Sequence, residues 1–229
     1  MQHDAWSAGK PAERHRSRST DRTFAPRLVV MVKEPQAGRV KTRLGRQIGT
    51  VAATSFYRHA ATAVLRRLSC DTRWRTWLWV APDIMVSSRF WPADVPRRAQ
   101  GRGDLGQRMQ RIMDWPGLGP IVIIGTDIPA IRPCHIAAAF KALGRSDAVL
   151  GPTPDGGYWL VGMKRIHSIP KPFTRVCWSS EHALADTLSN PAGSGITLAA
   201  SLADVDDATD WSEVRAWSGR CVLPTALRS

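Results

Sequence analysis

Gly151-Pro152-Thr153-Pro154-Asp155-Gly156-Gly157-Tyr158 joins two apolar segments, residues 147–150 before it and residues 158–161 after it. Two prolines and a Gly-Gly pair predict a sharp join where backbone can come close to a ligand. Asp155 stands in the middle of it. Shortly upstream, the apolar run Ile121-Val122-Ile123-Ile124 ends in Gly125-Thr126-Asp127-Ile128-Pro129. Acids at the tips of two hydrophobic strands are what an α/β enzyme needs to hold a hard cation over a phosphate. The expectation is a transferase acting on a nucleotide.

Working outward, Leu28-Val29-Val30-Met31-Val32 is a continuous apolar run rich in β-branched residues and predicts a buried first strand. Residues 48–68 carry apolar residues at helical spacing and predict one long helix. Residues 77–80 predict a second strand closed by Ala81-Pro82, residues 105–115 an amphipathic helix, and residues 121–124 a central strand. Pro133 suits the first turn of a helix to residue 143. Strands around Ala148 and Leu160 follow, then a helix to residue 188 capped by Ser179 or Ser180. A strand over 196–200 and a last helix, capped by Asp207 and running through Trp217, complete the order. Alternation of this kind predicts an α/β fold, a mostly parallel central sheet flanked by helices. The loops after Val32, Ile124 and Leu150 should then share the rim at the carboxyl ends of the strands.

At 229 residues with 43% apolar content, the chain can bury a sizeable core. One domain over residues 27–229 is expected, preceded by a disordered basic tail over residues 1–26. The tail lacks the apolar segment of a secretory leader, and no apolar run approaches a membrane span. The net charge of +13 raises the question of nucleic acid. Residues 1–27 hold six Lys/Arg against three Asp/Glu and so supply only +3 of it. The remainder is scattered, with one concentration over residues 33–46, and no aromatic-plus-basic motif of an RNA-binding sheet is present. A phosphate pocket within an Arg-rich surface is the more economical account. Cys70, Cys134, Cys177 and Cys221 lie more than forty residues apart without a C-x-x-C pair, which argues for reduced thiols in a cytoplasmic protein.

The segment Lys33 to Leu44 follows the first strand with Pro35, Gly38, Arg39, Lys41 and Arg43. Backbone N–H groups and cationic heads in such a loop can share the charge of a pyrophosphate, although Walker A spacing is absent. Gly101-Arg102-Gly103-Asp104-Leu105-Gly106 is a literal G-x-G-x-x-G, but residues 92–99 before it are polar and proline-bearing, so it does not predict a dinucleotide fingerprint. A glycine loop capping a helix near a nucleotide fits better. Asp127 lies too far upstream to cap the helix at Pro133 and is read as a metal ligand. Asp155 suits either a turn or a site. In Asp204-Val205-Asp206-Asp207, Asp207 is the natural helix cap, and Asp206 can complete the cation site.

Taken in order, these residues form a signature: Lys33-x-Pro35, Gly38-Arg39-Val40-Lys41-Thr42-Arg43-Leu44, Gly103-Asp104-Leu105-Gly106-x-Arg108-Met109, Gly125-Thr126-Asp127-x-Pro129, Gly151-Pro152-x-x-Asp155-Gly156-Gly157-Tyr158-Trp159-Leu160, Trp178-Ser179 and Asp204-Val205-Asp206. Over roughly residues 28–217 the chain resembles the bacterial GT-A-like glycosyltransferase family associated with radical-SAM/selenodomain gene sets and arsenosugar biosynthesis. That family is similar to the 2-phospholactate guanylyltransferases and the molybdenum-cofactor nucleotidyltransferases. The resemblance implies a nucleotide-diphospho-sugar transferase (Rossmann-like) fold, a nucleotide sugar or NTP as substrate, a small-molecule acceptor, and Mg²⁺ or Mn²⁺. It implies that Lys33, Gly38, Lys41 and Arg43 hold phosphates, with Gly103, Asp104 and Leu105 near base and ribose. Asp127 and Asp206 would meet the metal, with Asp127 and Asp155 as the catalytic acids, and Gly156, Gly157 and Tyr158 would face the acceptor. Ile128 stands where a cysteine is common, Glu34 where a small residue is usual, and Asp207 where threonine often follows the acidic pair.

Overall fold

Strand β1 (Arg27–Lys33) forms where the apolar run predicts, and its side chains are buried on both faces, with Leu28, Val29 and Val30 fully covered. Only a central strand with helices above and below needs that composition. In the computed structural model, which describes residues 25–166, 171–178, 180–190 and 195–212, β1 lies between β2 (Arg75–Ala81) and β4 (Ile121–Ile124), parallel to both. With β3 (Arg97–Ala99), β5 (Ala148–Pro152), β6 (Tyr158–Met163) and β7 (Ile196–Leu198) these make a seven-stranded sheet of order β3-β2-β1-β4-β6-β5-β7. Only β6 runs against its neighbours, so the sheet is mostly parallel.

Period-two alternation sorts the strand residues between two cores. Leu28, Val30, Leu78, Val122, Ile124 and Leu160 face one side, packed on α2 (Thr50–Ser69) through Ala61, Val64 and Leu65, and on α4 (Pro133–Ala142) through Ile136 and Ala139. Val29, Trp79, Ile121, Ile123, Leu150 and Val161 face the other, against Met109, Ile112 and Met113 of α3 (Leu105–Met113). The result is a helix–sheet–helix sandwich.

Some elements depart from the expectations. The helix expected over residues 48–68 forms as α2, and a further helix, α1 (Thr42–Ile48), lies before it in the basic segment read as a loop, parted from α2 at Gly49 with φ +90°. A glycine in that backbone region turns the chain at low cost, and the basic residues of α1 conceal its periodicity. Residues 97–99, within the polar, proline-bearing stretch that predicts no apolar strand, pair with β2 as the edge strand β3, where neighbouring backbone rather than side-chain pattern makes the strand. Helix α5 (Ala183–Ser189) begins after Ser180, whose hydroxyl accepts the His182 N–H at 3.2 Å without reaching the helix proper. Ser179, Cys221, most of the N-terminal tail and the end expected at Trp217 lie outside the described residues.

The sequence shows no basic-aromatic platform, yet Arg27 and Arg98 each lie 4.8 Å from the Trp115 ring, and Arg75 lies 5.0 Å from Trp77. Arg27 and Arg75 are the first residues of their strands, at the opposite end of the sheet from the cleft described below. Among the described residues, no helix is long and apolar enough to cross a membrane.

Candidate active site

Three strand ends and one returning segment line a cleft of about 970 Å³. From the end of β1 come Lys33 and the turn carrying Arg39, Lys41 and Arg43; from the end of β4 comes Asp127; from the end of β5 come Thr153 and Asp155. The segment after β7 is carried there by hydrogen bonds along the end of β5. Ala199 N–H donates to the Leu150 carbonyl at 2.8 Å, Leu202 N–H to Pro152 at 3.1 Å, and the Trp159 indole to Ala200 at 2.9 Å. Val205 is then buried, and the acids on either side of it, Asp204 and Asp206, line the cleft.

Oxygens of Asp127, Asp204 and Asp206 lie within 4.8 Å of one another. Gly125 makes room for this: a Cβ there would stand 2.8 Å from Asp127 Oδ1. The Lys41 ammonium donates to Asp206 Oδ1 at 2.7 Å and to Asp127 Oδ2 at 3.2 Å. Arg43 Nη1 lies 3.6 Å from Asp206 Oδ2. Burial works against the Lys41 charge, but the carboxylates of Asp127, Asp206 and Asp204 outweigh it and hold its pKa above the usual lysine range. Asp204 is pushed up to about 6, first by burial and then by repulsion from Asp206, with Lys41 opposing. Oxygen donors grouped in this way suit a hard divalent cation such as Mg²⁺ or Mn²⁺.

Nearby groups are held more firmly. The Asp155 carboxylate accepts the Thr153 hydroxyl at 2.5 Å and the Gly157 N–H at 3.1 Å, both through Oδ1, so Asp155 shapes its own turn. The Tyr158 hydroxyl accepts from Thr187 at 3.4 Å, and burial pushes its pKa up to about 12, so it stays protonated. Its ring meets Trp178 edge-on at 6.4 Å. A recess of about 420 Å³ continues the cleft past Gly38, Arg39 and Arg108.

Of the residues singled out from sequence, Lys33, Lys41, Arg43, Leu105, Asp127, Asp155, Gly157, Tyr158 and Asp206 line the cleft, and Gly38 lines the recess. Gly103, Asp104 and Gly156 line neither. Asp104 caps α3, accepting the Gln107 N–H at 2.8 Å while the Gln107 side chain accepts the Asp104 N–H at 3.2 Å. Asp207 caps the last described helical turn by accepting the N–H groups of Thr209 and Asp210. Sequence reasoning missed Asp204. Its signal was the Asp-x-Asp spacing, which in extended backbone sends both carboxylates to one side.

Residues 64–180, just over half of the chain, match DUF2064, described as uncharacterized proteins conserved in bacteria. The chain belongs to the DUF2064 family. The matched DUF2064 segment contains Asp127, Asp155 and Tyr158, while Lys41, Asp204 and Asp206 lie outside it. No curated protein sequence matches the chain. Among solved structures, a proposed nucleotide-diphospho-sugar transferase from Desulfovibrio desulfuricans G20 is similar with a TM-score of 0.78 at 25% identity, over 87% of this chain and 90% of that one. CMP:2-keto-3-deoxy-manno-octonic acid synthetase complexed with CTP is similar at 0.55 and 9% identity, over 85% and 98%. The manganese complex of Rv0371C from Mycobacterium tuberculosis H37Rv is similar at 0.50 and 14%, over 83% and 98%. The DUF2064 chain thus has the nucleotide-diphospho-sugar transferase fold.

Proposed function

We propose that this DUF2064 protein is a divalent-cation-dependent glycosyltransferase that uses a nucleotide-sugar donor and a small-molecule acceptor. One observation carries the reading: the Asp127–Asp204–Asp206 cluster faces Lys33, Arg39, Lys41, Arg43 and Arg108 within a single cleft at the carboxyl ends of the strands. That pairing of carboxylates and cations is what a diphosphate with its counter-ion requires. The similarity to the Desulfovibrio protein and the manganese held by the Mycobacterium protein point the same way.

In this reading Asp127, Asp204 and Asp206 hold the cation, which when bound neutralises charge on the departing diphosphate. The cationic heads of Lys33, Arg39, Lys41, Arg43 and Arg108 bind the phosphate oxygens, and Leu105 lies beside the nucleoside. Gly157 and Tyr158 bound the acceptor. An acceptor oxygen bonds to the anomeric carbon as the bond from that carbon to the diphosphate oxygen breaks, and the hydroxyl proton passes to a carboxylate. Asp155 is assigned that proton, through Oδ2, because Oδ1 is already committed to its turn. The test is turnover of a nucleotide-sugar panel with Mg²⁺ or Mn²⁺, comparing wild type with Asp127→Asn. A loss of about 10²–10³ in rate is expected. Unchanged turnover in the variant would reject the metal role.

A second reading, nucleotidyl transfer from an NTP onto a phosphorylated small acid, is favoured by the number of cations along the β1 end of the cleft, since a triphosphate carries more charge. Pyrophosphate release from an NTP and a phosphoacid, with no sugar turnover, would select it.

A further inference from the structure

Lys41 stands in the place that the proposed function gives to a metal ion. Its ammonium bridges Asp127 and Asp206, two members of the carboxylate cluster, at 3.2 and 2.7 Å. Its side chain is 7% exposed, whereas those of Asp127 and Asp206 are 44% and 40% exposed. The cation is therefore buried deeper than the acids it neutralises. The backbone at Lys41 is left-handed, φ +45° and ψ +50°, a conformation that costs a non-glycine residue free energy and persists only where the surroundings enforce it. Arg43 does not duplicate the role: its side chain is 73% exposed and its nearest contact with Asp206 is 3.6 Å. A buried ammonium on two carboxylates is firmly seated, but its four-carbon stem can swing, and a phosphate offers it equivalent oxygens.

We propose that Lys41 is an exchangeable counter-ion: its ammonium occupies the acidic cluster of the ligand-free protein and moves to the phosphate of an entering ligand, so that cation and phosphate bind together more tightly than either binds alone. The inference rests on the proposed function, because it takes the acidic cluster as the cation site. Two physical arguments support it. First, carboxylates already paired with Lys41 are available to a divalent cation only in the fraction of molecules where Lys41 has left, and apparent affinity falls by that fraction. Second, a phosphate that draws Lys41 away raises that fraction, and by linkage a cation on the acids frees Lys41 for phosphate to the same degree. A purely structural cross-link behaves otherwise, since removing it would loosen the cluster and weaken cation binding.

The test is a titration with Mn²⁺ alone, read from the paramagnetic resonance signal of the free ion, on wild type and on Lys41→Met, which keeps an apolar stem and removes the charge. The variant is expected to bind Mn²⁺ about tenfold or more tightly than wild type, as for a site otherwise about nine-tenths self-occupied. Inorganic phosphate should tighten Mn²⁺ binding in wild type and have little effect in the variant. A measurement on wild type covers the case in which the variant does not fold. Acetylation of Lys41, followed by mass spectrometry, should be slow in the ligand-free protein and accelerate several-fold when Mn²⁺ is added. Equal or weaker Mn²⁺ binding by a folded Lys41→Met protein overturns the inference, as does Lys41 acetylation that ignores bound Mn²⁺; in both results the metal reading of the site survives. Absence of Mn²⁺ binding to either protein overturns the inference and the metal reading together.

Discussion

The phenolic oxygen of Tyr57, on α2, accepts the backbone N–H of Lys33 at 2.9 Å. The Thr126 hydroxyl lies 3.3 Å from the same oxygen, so one buried side chain ties the end of β1 to the end of β4. Lys33 itself makes one of those ties, and Asp127 directly follows Thr126, which makes the other. Tyr57→Phe leaves the Lys33 N–H and the Thr126 hydroxyl without this partner. A loss of about 1–3 kcal/mol is expected, which for a chain of this size is a fall in Tm of very roughly 2–10 °C. Calorimetry checks this, and Mn²⁺ affinity should fall along with stability because the two strand ends are no longer tied.

Gly125→Ala is expected to separate metal affinity from folding. The added Cβ falls 2.8 Å from Asp127 Oδ1, and the flexible carboxylate must turn away. Mn²⁺ affinity should drop by about 10–100-fold, the usual scale for disturbing a ligand's support, while Tm moves little. A large fall in Tm with unchanged affinity would show that the glycine serves the backbone instead.

Asp204→Asn is expected to stabilise the metal-free protein at neutral pH. The Asp204 pKa rises from 3.8 to about 6 on folding, so the folded state binds the proton more tightly than the unfolded chain. Its charged form is therefore a burden on the fold, and stability contributed by its protonated form is lost as pH rises through that interval. The variant should melt higher than wild type at pH 7, and the gap should close near pH 4. Added Mn²⁺ should reverse the order at pH 7, because the variant lacks one carboxylate of the cluster. Thermal melts at the two pH values, with and without Mn²⁺, measure all of this.

Asp104→Ala separates a cap from a ligand contact. The carboxylate accepts the Gln107 N–H and lines neither the cleft nor its recess. A cost of about 1 kcal/mol to stability is expected, with nucleotide binding in a thermal-shift assay unchanged once the lower baseline is subtracted. A selective loss of nucleotide binding would place Asp104 at the ribose after all.

Most of the sheet is legible from local pattern. Residues 121–124 are apolar throughout and form a central strand with those bounds, and the run 28–32 forms β1 with one further residue at each end. Where pattern misleads, the cause is identifiable. Arg97–Ala99 has no apolar alternation, since an edge strand needs only a neighbour to pair with. Residues 48–68 show the periodicity of α2, but α1 just before it goes unread because its residues are mostly polar and its end depends on the backbone of Gly49. The acid pair around Val205 invites a capping reading, and capping is true of Asp207; the carboxylate of Asp204 joins the site because bonds from Ala199 and Leu202 carry the chain along the end of β5.

Read alone, the chain established the α/β class, the position of most strands, and the concentration of charge after the first of them, because burial and periodicity act over a few neighbouring residues. Which acids meet which cation was settled by the tertiary structure. Lys41 and Asp206 are 165 positions apart, and their 2.7 Å contact exists because sheet order brings the ends of β1 and β4 beside the segment that follows β7. Pairing energies between charges depend on distances in space, and no spacing along the chain encodes those until the strands have found their neighbours.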